Sequence, residues 1–166
     1  MKVLDRLIAK SPEEKNLMTK QELFALELKN LLPIEAFDWL MKYQKYCNAI
    51  DDIIDEPKFR NDNEFIIGTF LLSAELFSDD FYQKYKLYLF PTNLLITNCY
   101  ADSVKFEQKN SQEWQKKISD VIRCSYSMMV IQVLYIFVGY AKVRELSPKL
   151  QECGWDHHHT LDGKPI

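Results

Sequence analysis

The sequence predicts an all-α protein, a single-domain helical bundle, and three observations carry that prediction. Glycine and proline are scarce, four and six among 166 residues. Apolar residues recur at three- and four-residue steps over long stretches. No stretch alternates with the period of two that a half-buried strand requires, and no internal repeat is visible. A chain of this length suits one domain with one core. The bundle is expected over residues 1–153 and an irregular tail over 154–166, where the helical period is lost.

The elements follow from local signals. Ser11-Pro12-Glu13-Glu14 has the form of a capping box with proline at the first helical position, and Thr19-Lys20-Gln21-Glu22 offers a second start, with helix expected through about Leu31. Pro33 opens a segment whose apolar positions Ala36, Leu40, Tyr43, Cys47, Ile50 and Ile54 share one face, and Pro57 ends it. Asn61-Asp62-Asn63 reads as a loop and N-cap before a helix over Glu64–Phe77. Asp79 or Asp80 then caps a short helix that Pro91 closes after Phe90, and Thr92 starts another through about Gln108. Ser111 is expected to cap one long helix to about Glu145, with Pro148 beyond its end.

Composition narrows the function classes. The formal net charge is −3 and the cations are spread thinly, so no basic stripe is present for phosphate backbones and nucleic acid is not an expected partner. Cys47, Cys99, Cys124 and Cys153 form no C-x-x-C pair and follow no secretory segment, which predicts reduced thiols and a cytoplasmic protein. The most apolar stretch, Met128 to Val143, contains Gln132 and falls short of the ~18–20 residues a bilayer requires. It is read as a core helix, with no membrane span.

The feature richest in chemistry is Asp51-Asp52-Ile53-Ile54-Asp55-Glu56. Asp51 and Asp55 are one helical turn apart and Asp52 lies three residues before Asp55, so the three carboxylates share a side. With Leu40, Cys47 and Ile54 marking the buried stripe, Asp51 falls roughly 40–60° from its centre, beside Gln44 and Asn48, and is expected to look into a cleft. The placement is locally costly, because acids at a helix C-terminus oppose the macrodipole by ~0.3–1 kcal/mol. A hard divalent cation offsets that cost, and Mg²⁺ commonly takes one or two carboxylates together with substrate phosphate oxygens. The competing reading pairs Asp51 with a neighbouring helix and leaves Asp52, Asp55 and Glu56 as solvated residues before a loop.

The string Tyr46-Cys47-Asn48-Ala49-Ile50-Asp51-Asp52-Ile53-Ile54-Asp55-Glu56-Pro57 resembles the first aspartate-rich motif of the squalene/phytoene synthase branch of isoprenoid synthases, which reads F-C-R-x-x-D-D-I-x-D-E. The resemblance implies an isoprenoid-synthase-like all-α fold in which Asp51, Asp52 and Asp55 hold Mg²⁺ and the metal binds a prenyl diphosphate. Asn48 stands where that family carries an arginine facing the diphosphate, so Asn48 and the neighbouring Gln44 are the polar groups placed to meet substrate. The family's second aspartate motif lies well over a hundred residues further on and has no counterpart here. The expectation is therefore a shortened relative; if it is catalytic, metal-assisted ionisation or hydrolysis of the diphosphate is the reaction type. A non-enzymatic helical module for a protein partner is the alternative from another class.

Other constellations are weaker. Glu75 and Asp79, one turn apart, could join a metal site, an arrangement similar to the paired acidic helices of all-α nucleoside triphosphate pyrophosphohydrolases; plain surface acids are the other reading. Asn98 and Asp102 share a helix face from which the spacing removes Glu107. Cys153 with His157-His158-His159 offers zinc-type ligands, although adjacent rings converge poorly on one ion, and a tail is the simpler reading. Tyr43, Tyr46, Phe70, Phe77, Tyr126, Tyr135 and Phe137 suit either a core or the wall of a prenyl pocket.

Overall fold

A computed structural model describes residues 19–108, 110–123 and 125–158. Among these residues every regular element is helical: α1 Lys20–Leu31, α2 Ile34–Asp55, α3 Pro57–Arg60, α4 Asn63–Ser78, α5 Asp80–Phe106, α6 Glu113–Arg123, α7 Tyr126–Phe137 and α8 Gly139–His158. The starts follow the local chemistry. Thr19 and Glu22 close a reciprocal capping box, the threonine oxygen accepting from the Glu22 amide at 3.2 Å and the glutamate from the Thr19 amide at 2.9 Å. Asp62 and Asp79 cap α4 and α5 through side-chain oxygens, each 3.0 Å from the amide it accepts from. The start at Ser11 lies outside the described residues.

Helix α2 runs through the middle, packed against α4, α5 and α7, and buries Ala36, Phe37, Trp39, Leu40 and Tyr43. Trp39 organises the core. Its ring lies 5.3 Å from that of Tyr43, 5.5 Å from Phe81 and 5.8 Å from Tyr82, and its Nε1 donates to the Leu76 carbonyl at 3.0 Å. Tyr43 continues the stack onto Tyr126 of α7 at 5.9 Å. Helix α2 thus packs on the C-terminal helical region through α7.

Three boundaries differ from the sequence reading. Pro91 does not separate two helices; α5 continues through it. Pro91 and Leu87, whose carbonyl loses its partner, are both exposed, so the break lies on the solvent side while Leu89 and Ile96 keep the helix anchored to the core. Pro148 inside α8 repeats the arrangement, with Arg144 and Pro148 both exposed. The single long helix expected from Ser111 is instead three. Gln112, not Ser111, begins α6, its amide donating to Gln115 Oε1 at 2.8 Å, and Ser111 turns back to the Lys105 carbonyl at 3.3 Å. The chain breaks again between Arg123 and Tyr126, and at Gly139, whose φ of 76° is the left-handed conformation that ends a helix at low cost only for glycine.

Helix α8 runs through Gly154 to His158, so the expected irregular tail does not begin at 154; residues 159–166 lie outside the described set. By length and composition alone, Glu113–Phe137 is apolar enough to cross a membrane. In the fold its residues Met129, Val130, Val133 and Leu134 are core.

Candidate functional site

The last two turns of α2 carry three acids, with Glu56 following as the C-cap, and no base, and the fold brings the missing cations from elsewhere. Arg60 of α3 turns back to the carbonyls of Ile53 (3.4 Å from Nε) and Ile54, capping the helix end. Lys58 pairs with Glu56. Arg123, the last residue of α6, reaches Asp55 at 3.2 Å, Glu107 at 2.8 Å and Asp51 at 3.9 Å. The guanidinium also lies 5.6 Å from the centre of the Tyr100 ring, and Tyr100 Oη donates to Asp51 Oδ1 at 2.7 Å. Ser119 fixes Glu107 in turn, donating to its Oε1 at 2.6 Å.

Burial and charge compete at this cluster. Burial disfavours the Arg123 cation, but the carboxylates around it, Glu107 foremost, more than compensate, and its pKa lies above the ordinary arginine value. The Tyr100 phenol is raised by burial first and by the Asp51 carboxylate it donates to.

Beside the cluster opens a cleft of about 340 Å³ between α1, α2, α5, α7 and the end of α8. Phe24, Leu28, Ile96, Val130 and Leu150 supply apolar wall, and Tyr43, Tyr46 and Tyr126 supply aromatic wall. The polar groups that meet it include Gln44, Asn48, Asp51, Tyr100, Arg123 and Ser125. Tyr43 Oη donates to Asn93 Oδ1 at 2.8 Å. The Cys47 thiol, in the same wall, is pushed up to about 12 by burial, with the Asp51 charge adding to the effect and a hydrogen bond to Tyr43 opposing it. Cys47 and Cys99 are free thiols.

The expected site residues divide as follows. Asp51, Gln44 and Asn48 line the cleft. Asp55 does not; its carboxylate is 43% exposed, much like the 46% of Glu56. Helix α2 runs no further than Asp55, and the turn holding Asp51 is the last that borders the cleft. Asp51 and Asp55 are engaged by Arg123, and among the described residues no group of three His, Cys, Asp or Glu side chains is disposed to hold a metal ion.

Glu75 and Asp79 both pair with Lys42, at 2.9 and 3.1 Å. Asp102 pairs with Lys105, and Asn98 is exposed. Glu107, which the spacing sets off that face, stands at the C-cap of α5 and pairs with Arg123. Of the aromatic residues expected around a pocket, Phe70 is 71% exposed, and Phe77 and Phe137 pack into the core rather than the cleft. The side chains of Cys153 and His157 to His159 lie outside what is described. Sequence reasoning missed Tyr100 and Arg123. A signal for Arg123 was present: it stands between Ile122 and Cys124, at the threshold of the most apolar stretch, where an unpaired cation is costly.

Compared with known proteins, the chain matches no family model, no curated protein and no solved structure.

Proposed function

We propose that the chain binds a small, mostly apolar molecule whose body lies along the aromatic wall of the cleft and whose polar end meets Asp51, Tyr100 and Arg123. One observation supports this above the others: a cleft of about 340 Å³ has apolar walls over most of its surface and its charged groups on one side. Ligand pockets of ~300–1,000 Å³ are built in this way, with apolar walls for affinity and a few convergent polar groups for orientation. The direct test is binding of the uncharged fluorophore N-phenyl-1-naphthylamine, compared between the native chain and Thr97→Trp. Thr97 is exposed on the cleft wall, so the indole fills the opening without disturbing the core. Saturable binding that the variant loses supports the reading; equal binding by both, or none by the native chain, overturns it.

A magnesium-held prenyl diphosphate is the narrower reading, favoured by the resemblance of the motif around Asp51 and by an excess of acid, three carboxylates around one guanidinium. It requires Arg123 to release Asp51 and Asp55. Thermal unfolding with Mg²⁺, with and without pyrophosphate, tests it: a ligand held by the native state alone raises stability by RT ln(1 + [L]/Kd). No rise with the pair would remove the diphosphate while leaving the apolar cleft. Docking of a protein partner is favoured by a separate observation, the exposed Ile67, Phe70 and Leu71 of α4. Phe70→Glu abolishing concentration-dependent association or partner capture would support it, and a chain monomeric and partnerless at all concentrations would count against it.

A further inference from the structure

The cleft reading leaves open what the polar end of the ligand is, and two side chains at the junction of α6 and α7 constrain it. Arg123 commits two of its nitrogens, Nη1 to Asp55 and Nη2 to Glu107. Its Nε is buried and has no hydrogen-bond acceptor among the described residues; the nearest carboxylate oxygen, Oδ1 of Asp51, is 3.9 Å away, too far for such a bond. Two residues on, Ser125 is 2% exposed, and its Oγ is likewise buried without a partner. Both residues line the same cleft. Buried polar groups are as a rule satisfied, and leaving one unmade costs more than a typical hydrogen bond gains. An acceptor that enters the cleft would satisfy them.

Their chemistry selects its class. A guanidinium Nε–H only donates, so the entering atom must be an acceptor, and the serine hydroxyl can donate to the same oxygen. The charge balance then decides between an anionic and a neutral acceptor. Arg123 already faces Asp51, Asp55 and Glu107, so an incoming carboxylate or phosphate would meet two uncompensated negative charges, whereas a carbonyl oxygen meets two donors at no Coulombic cost. Resting on the cleft-binding reading above, we propose that the ligand is an apolar carbonyl compound, a ketone, aldehyde or ester, whose oxygen accepts from Arg123 Nε–H and Ser125 Oγ–H while its hydrocarbon part lies against Tyr46, Ile96 and Tyr126.

The test is displacement of N-phenyl-1-naphthylamine by three molecules of matched chain length, 2-octanone, octanoate and 1-octene, together with geranyl diphosphate plus Mg²⁺. The ketone should displace the probe best, with a Kd ~10-fold below that of the alkene, as one or two hydrogen bonds in a buried site provide. Ser125→Ala should remove most of that preference, leave 1-octene binding unchanged, and keep or raise the urea midpoint, because the substitution removes an unsatisfied hydroxyl. A measurement on the native chain guards against a variant that fails to fold: the Nε–H resonance of Arg123 should move on adding 2-octanone and stay in place with 1-octene. Tighter binding of octanoate or of geranyl diphosphate with Mg²⁺, a ketone preference that survives in Ser125→Ala, or a stationary Nε–H resonance overturns the carbonyl assignment and leaves the cleft as a binding site. If none of the four displaces a probe that binds, the carbonyl assignment fails and the cleft reading stands; if the probe itself does not bind, the cleft-binding reading fails with it.

Discussion

Two acid clusters in this chain look alike in sequence and behave differently in the fold. Glu75 and Asp79 gather around Lys42 at 2.9 and 3.1 Å, and Asp51, Asp55 and Glu107 gather around Arg123 at 2.8 to 3.9 Å. In the first, the lysine is 37% exposed, the acids come from one stretch of chain, and the Lys42 pKa is raised by its hydrogen bonds to Glu75 and Asp79. In the second, the arginine is 17% exposed, its partners come from α2 and from the residue that ends α5, and a phenol and a cleft adjoin it. Acids one turn apart are therefore no marker of a site by themselves. What separates the two clusters is whether the central cation has left water.

The largest effect should come from Arg123→Ala, which strands three carboxylates beside one another. A loss of ~2–4 kcal/mol is expected by urea denaturation, as for the breaking of a largely buried pair. A loss below ~0.5 kcal/mol would place Arg123 with ordinary surface cations and erase the contrast.

Next in size is the response to alkali. Cys47, pushed up to about 12 from 9.0 by burial, and Tyr43, Tyr100 and Tyr126, each raised above 10.0 first by burial, hold their protons more tightly folded than unfolded. Above its ordinary value the unfolded chain binds fewer protons at such a group than the native one, so stability falls as pH rises, by up to ~1.4 kcal/mol per pH unit per group. The contribution of Cys47 is whole below pH 9 and is lost towards 12; those of the tyrosines start to fade above 10. Urea midpoints from pH 8 to 10.5 should decline, and Cys47→Ala should decline less over the lower half of that range. A flat profile would mean that the cleft wall is wetter than the packing around it shows.

Smaller effects sharpen the comparison. Asp51→Asn keeps an oxygen for Tyr100 but removes charge from the arginine, and Tyr100→Phe removes the donor; each should cost ~0.5–1.5 kcal/mol, discounted because Asp51 is 39% exposed. A stabilised Asp51→Asn protein would show instead that like-charge repulsion dominates there. Lys42→Met should change the urea midpoint least, by ~0–0.5 kcal/mol. An effect equal to that of Arg123→Ala would make exposure irrelevant and defeat the distinction between the clusters.

What the sequence made legible was local. Thr19, Asp62 and Asp79 mark helix starts through bonds made within three residues, Pro33 through its fixed φ, and those starts stand where they were expected. Pro91 and Pro148 misled because the effect of a proline depends on whether the carbonyl it frees faces water, which only the packed helix decides. The inward turn of Asp51 was legible from the apolar stripe of its own helix. Tyr100 and Arg123, 49 and 72 residues further along, were not, since nothing in a helical period records which distant helix end arrives at the same place. The carboxylates that invited a metal were answered by a cation the chain itself supplies.

The stack around Trp39 has an optical consequence. Trp39 is 1% exposed, ringed by aromatic neighbours and hydrogen-bonded through its indole nitrogen, whereas Trp114 on α6 is 54% exposed. An indole emits at shorter wavelength when its surroundings cannot reorient around the excited dipole, so of these two tryptophans Trp39 emits towards the blue edge of the native spectrum. Unfolding moves that edge to the red while the Trp114 emission, already water-relaxed, hardly changes. The chain thus carries a built-in reporter of the junction between α2 and α5, readable by red-edge difference without any added label.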